Sequence, residues 1–235
     1  MKRSKSRATA HLSRVDPTLA GLIKASGPFT LQPDLSCPPF QSLARAITHQ
    51  QLNGTAAQSI FKRFIAACGP EPFPAPRTVL AMSDAQLRAA GLSFAKIAAL
   101  KDLAAKTIEG IVPDHGKLTA LENEEIIERL TQVRGIGRWT VEMMLMFQLG
   151  RPDILPVDDF GVRAGFRFAY GLRKMPKPKA LAIYGERWAP HRSTAAWYLW
   201  RAVELKRAGK LPEPVERIRM PRIQRKKRLR KKAKR

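Results

Sequence analysis

Cysteine is nearly absent from this chain. Cys37 and Cys68 are the only two in 235 residues, and their separation gives neither a disulfide framework nor a metal-ligand spacing. That usage fits a reducing compartment. No apolar run is long enough to span a bilayer, so no membrane partner is expected. Residues 1–7 are basic but lack the apolar stretch that would follow in a secretory signal. Alternating strand patterns are almost missing, and no internal repeat stands out.

Acidic residues are also scarce. Nineteen Asp and Glu stand against 43 Lys and Arg, a formal charge of +24. The excess is concentrated at the ends: residues 1–7 carry four basic side chains and no acid, and residues 217–235 carry twelve and no acid. The 209 residues between them still hold 27 basic against 19 acidic side chains. A basic chain without a membrane segment points to nucleic acid as its polyanion. The tails would steepen the salt dependence of binding or, in a eukaryote, act as a nuclear localisation signal.

The pattern that remains is helical. Asp16 and Pro17 open a short segment through Leu19, Leu22 and Ile23 as N-cap and first helical residue. Segments 40–48 and 55–66 follow, the second with Ala57, Ile60, Phe61, Phe64 and Ile65 on one face. Four prolines between 70 and 76 mark a loop. Ser83 and Ser93 cap helices over 84–90 and 94–108. Further helices are expected over 121–130, 137–147, 159–170, 178–187 and 192–206. Residues 1–10 read as a disordered basic arm, 11–210 as the folded domain, and 211–235 as a basic tail unstructured when free.

Two stretches carry chemistry. In residues 130–140 (LTQVRGIGRWT), Gly135 and Gly137 flank one apolar residue between two helical patterns. Such a hairpin, ending at a helix N-terminus, aims backbone amides in one direction and suits a phosphate oxygen. The grip reads no base and is independent of sequence. Gly135, Ile136, Gly137, Arg138 and Thr140 are its candidate DNA-backbone contacts. About twenty residues later, Pro156, Val157, Asp158, Asp159 and Phe160 place carboxylates on a basic chain. Either aspartate would also serve as a helix N-cap, and both roles fit, with Asp158 capping and Asp159 free for chemistry.

The hairpin resembles that of the helix-hairpin-helix DNA glycosylase superfamily, and Gly150, Pro152, Pro156 and Asp159 look like its Gly/Pro-rich loop and aspartate. The run from Ala46 through Thr48, His49, Gln50 and Gln51 to Leu52 is similar to the AlkA type, the 3-methyladenine DNA glycosylase II branch. So are Gly91, Leu92 and Ser93 with Lys96, and residues 187–193 (RWAPHRS) with Trp200. The resemblance runs from about residue 11 to 206. It implies an all-α, two-lobed helical bundle with a helix-hairpin-helix motif and a DNA-binding cleft between the lobes. The N-terminal β-rich domain of the best-known bacterial member has no room here.

The resemblance further implies Asp159 as the catalytic residue. A fixed carboxylate stabilises the positive charge that develops on deoxyribose as the base departs, and orients water. It puts Trp139, Trp200 and Met143 in the base pocket, where an indole face attracts a cationic alkylated purine. Met143 stands where an aromatic residue is more usual. It places the wedge that fills the gap left by base flipping at Gln51, Leu52 or Asn53. Relatives that also cut the strand carry a lysine two residues past the second hairpin glycine, where its amine forms a Schiff base. Here that residue is Trp139. Iron–sulfur relatives need four cysteines.

The expected function is therefore a monofunctional glycosylase releasing 3-methyladenine- and 7-methylguanine-type bases from damaged double-stranded DNA as a monomer, in the nucleoid or nucleus. No cofactor is required, although Na or K ion at the carbonyls of Thr131, Val133 and Ile136 is a candidate. The alternatives are a glycosylase for deaminated bases such as uracil or hypoxanthine, and a helix-hairpin-helix protein that binds damaged DNA without chemistry.

Overall fold

The computed structural model describes residues 2–215 and 218–221, and among them every regular element is helical. In chain order these are α1 (Lys2–Val15), α2 (Pro17–Ser26), α3 (Pro39–His49), α4 (Gly54–Ala67), α5 (Pro76–Ala81), α6 (Asp84–Ala89) and α7 (Phe94–Ile108). They continue with α8 (His115–Ala120), α9 (Asn123–Leu130), α10 (Arg138–Phe147), α11 (Phe160–Ala169) and α12 (Pro178–Gly185). A 3-10 turn over Glu186–Trp188 leads into α13 (Arg192–Arg207).

Local chemistry sets many of these boundaries. Pro17, Pro39, Pro76 and Pro178 occupy first-turn positions, where a missing N–H costs nothing. Ser83 and Ser93 cap α6 and α7 through their hydroxyls, and Gln86 closes a capping box with Ser83. Three helices escape the sequence reading. α5 and α8 are six residues each, too short for a periodic signal. α1 covers most of the stretch expected to be a disordered arm. Its cause is apolar: Ala8 and Leu12 are buried, and burying a leucine contributes about 1.5–3 kcal/mol.

The chain divides into two compact units that do not follow chain order. One comprises Met1–Thr30 with Pro152–Arg235, the other Leu31–Arg151. The expected 11–210 domain therefore starts and ends inside one unit. Residues 216–217 and 222–235, most of the basic tail, lie outside the described residues.

In the discontinuous unit, α13 packs along α11 and against α2. The α11–α13 crossing is close because Gly165 has no side chain; a Cβ there would lie 1.8 Å from the Leu199 carbonyl oxygen. Asp16 fastens the N-terminal helices to the rest. Buried, it caps α2 through Oδ1 at the amides of Thr18 and Leu19, while Oδ2 accepts from Tyr170 Oη at 2.7 Å and Trp188 Nε1 at 2.9 Å. A buried carboxylate without a cationic partner is tolerable only with its lone pairs satisfied in this way. In the continuous unit, α7 is central, packing on α3, α5 and α6 around Leu43, Ile47, Ile97, Leu100 and Leu103.

Candidate active site

The hairpin belongs to the continuous unit. α9 ends at Leu130, and the turn closes with the Ile136 amide donating to the Val133 carbonyl at 3.0 Å. Val133 and Ile136 are buried and anchor it. Gly135 has φ +79°, a left-handed value that favours glycine. Two side chains from distant elements brace the turn. Asp102 on α7 accepts the Arg134 amide at 2.7 Å, and Gln50 Nε2 donates to the Gly135 carbonyl at 2.8 Å. Burial pushes the Asp102 carboxyl up, but hydrogen bonds from the Arg134 amide and from Lys106 outweigh it and hold it below its ordinary value. Sequence reading missed both braces, because partners 32 and 85 residues away leave no local signature.

The N-cap of α10 is Gly137, which offers no side-chain cap. An α-helix leaves its leading amides without intrahelical partners and carries about half a positive charge at that end. Gly137 has φ −95°, open to any residue, and a Cβ built on it meets nothing within 4 Å. Neither conformation nor internal packing demands glycine there.

Two of the expected backbone contacts also have partners within the protein. The Arg138 guanidinium pairs with Glu124, at 2.9 and 2.5 Å, and with the buried Glu142 at 3.1 Å, so its charge is engaged within the protein. Thr140 is buried, and its amide donates to the Gly137 carbonyl at 3.0 Å.

Of the carbonyls expected to hold an ion, that of Val133 already accepts the Ile136 amide and retains a second lone pair. Among the described residues no group of three or more His, Cys, Asp or Glu side chains is placed to hold a metal.

Between α3 and α10 lies a cavity of about 670 Å³. Arg45, His49, Gln50 and Gln51 line one side, and Trp139, Met143 and Phe147 the other. The i, i+4, i+8 spacing of that trio puts it along one face of α10. Trp139 is 47% exposed, too open for a core residue. At the neighbouring loop, Gln51 has φ +58°, uncommon for a residue other than glycine. The Asn53 side chain is committed to capping α4, accepting the Ala56 amide at 2.9 Å. Leu52 is 40% exposed. Lys96 Nζ donates to the Thr48 carbonyl at 2.7 Å and so secures the last turn of α3.

Asp159 belongs to the other unit and is the N-cap of α11. Its Oδ1 accepts the Val162 amide at 2.7 Å and the Trp200 indole N–H at 2.8 Å. The expected division of labour fails on this point: Asp158 is exposed, and Asp159 does the capping itself. Through the indole bond Trp200 orients Asp159. Gly161 makes room for it, since a Cβ there would come within 2.8 Å of the indole. Phe160, next to Asp159, is 71% exposed. The segment leading into this aspartate is pinned by Asp153 to Arg192 at 2.7 Å and by the Ile154 amide to Ser193 Oγ at 2.9 Å.

Known proteins resemble this chain over most of its length. The family described as HhH-GPD superfamily base excision DNA repair protein matches residues 44–191. DNA-3-methyladenine glycosylase 1 of Schizosaccharomyces pombe is 42% identical over 205 residues, covering 86% of this chain and 89% of the relative. The solved structure of the S. pombe 3-methyladenine DNA glycosylase in complex with abasic DNA is similar with a TM-score of 0.74, over 85% of this chain and 97% of that one. A DNA-3-methyladenine glycosidase from Bacillus halodurans is 35% identical with a TM-score of 0.76, over 84% and 89%. The chain belongs to the HhH-GPD superfamily of base excision DNA repair proteins.

Proposed function

We propose that this protein is a monofunctional DNA glycosylase that releases alkylated purines of the 3-methyladenine and 7-methylguanine type, leaving an abasic site. The observation that carries this reading is Asp159, a carboxylate oriented by a helix amide and an indole N–H on a strongly basic chain. The 42% identity to a relative named DNA-3-methyladenine glycosylase 1 supports the substrate class.

In this mechanism the glycosidic electron pair leaves with the base. An alkylated purine departs neutral because it was already cationic, so no general acid is needed. Asp159 stabilises the oxocarbenium-like sugar, and water adds at C1′ as its proton passes to the Asp159 carboxylate. Trp139 in the cavity holds the cationic base, a contact worth up to about 2 kcal/mol when desolvated. The leading amides of α10 take a phosphate oxygen. A monovalent cation on the carbonyls of Thr131, Val133 and Ile136 would add positive charge beside that phosphate.

Of the three wedge candidates, Leu52 and Gln51 fit best, because Asn53 is occupied as a cap. Trp139 offers no amine, so no Schiff base forms and the strand stays intact. The protein works as a monomer wherever the DNA is, in nucleoid or nucleus, and its basic tails add salt-sensitive phosphate contacts.

The test is methylated duplex DNA, with released bases identified by chromatography. Free methylpurines and strands that break only after alkali are expected. Strands cut without alkali, or tight binding with no base released, would overturn the proposal.

A further inference from the structure

His49 is the last residue of α3 and lines the cavity opposite Trp139. Its Nδ1 lies 2.8 Å from the Arg45 carbonyl oxygen. A carbonyl only accepts, so the ring hydrogen sits on Nδ1, and in the neutral imidazole Nε2 is then an acceptor. The ring is also fixed edge-to-face against Phe61, at 5.8 Å between centroids and 69° between planes. The tautomer and the orientation are thus set by the protein before any ligand arrives. Among the described residues, no protein hydrogen bond is formed at Nε2.

We propose that His49 is a specificity-determining residue whose Nε2 accepts a hydrogen bond from an exocyclic amine of the base held in this cavity. This rests on the reading that the cavity takes the extruded base. Trp139 reports charge, because its face favours any alkylated purine cation. It does not distinguish one cationic purine from another. A fixed neutral acceptor adds that second criterion, favouring cationic purines that keep an amino group over those that have lost it. One neutral hydrogen bond of this kind corresponds to roughly 3- to 10-fold in rate.

The matched pair for the test is a duplex carrying either 7-methylguanine or 7-methylhypoxanthine. Both bases are cationic, and they differ only in the exocyclic amine. Single-turnover release is measured for wild type, His49→Phe and His49→Gln. Phenylalanine keeps the ring against Phe61 without an acceptor, and glutamine restores one.

The wild-type rate ratio is expected to favour 7-methylguanine by roughly 3- to 10-fold. It should fall to near one in His49→Phe and recover in His49→Gln. A damaged fold slows both bases and leaves the ratio unchanged. A ratio near one in the wild type, or one that survives in His49→Phe, overturns the assignment to His49 while leaving the glycosylase reading intact. Release of neither base by the wild type overturns both.

Discussion

Asp159 offers a way to separate chemistry from folding at one position. Both of its named hydrogen bonds, from Val162 N and Trp200 Nε1, land on Oδ1. Asparagine has an oxygen at that place and is as good an N-cap as aspartate. Asp159→Asn should therefore keep α11 and keep Trp200 in position while it removes the charge and turns Oδ2 into a donor amide. Removing one preorganised electrostatic group from a transition state costs about 10²–10³ in rate, or about 2.7–4 kcal/mol. Asp159→Ala loses the cap as well. That costs about 1 kcal/mol, which in a chain of this size lowers Tm by about 2–4 °C. The assay is single-turnover release from a duplex with one 7-methylguanine, read by alkaline cleavage of the abasic site, alongside a thermal melt. The two variants should be about equally slow, with only alanine melting early. If Asp159→Asn kept its rate within threefold of wild type, Asp159 would not be the residue facing the developing charge. If it melted as early as alanine, the hydrogen-bond reasoning would fail.

Three further outcomes follow from the same geometry. Gly137→Ala should lower Tm by no more than about 2–4 °C, the cost of alanine at an N-cap, since its Cβ meets nothing within 4 Å, yet weaken binding to undamaged duplex in a titration; equal affinity would remove α10 from the interface. Gly165→Ala forces a Cβ to 1.8 Å from the Leu199 oxygen and should cost about 1–3 kcal/mol or more in urea unfolding; a neutral result would contradict the α11–α13 crossing. Asp102→Asn should be less stable than wild type at neutral pH. Because the folded carboxyl lies below its ordinary value, that stabilisation is full above the ordinary value and is lost as pH falls through the folded one, so the two melting curves should converge in acid. A pH-independent gap would show that shape rather than charge holds Arg134.

What the sequence disclosed and what it concealed follow the range of the physics involved. Capping and periodicity act over three or four residues, so α6, α7, α9 and α10 were legible from Ser83, Ser93 and the spacing of Ile126, Ile127 and Leu130. The hairpin was legible for the same reason, its two glycines and its buried Val133 and Ile136 lying within one short stretch. The braces on it were not. Asp102 looks like any surface acid on α7 until folding brings the Arg134 amide to it, and Gln50 reads only as part of the AlkA-like run until its amide meets the Gly135 carbonyl.

The cap was placed on Asp158 on a different ground. Two adjacent aspartates before a helix satisfy the capping pattern equally well, and only backbone register decides between them. Register placed Asp159 at the cap and brought Trp200 to the same oxygen. Capping then does not compete with the catalytic use proposed for this carboxylate. The helix amide and the indole N–H that satisfy Oδ1 also fix the group in place, and a carboxylate that needs no reorganisation as charge develops is the one that lowers a barrier most.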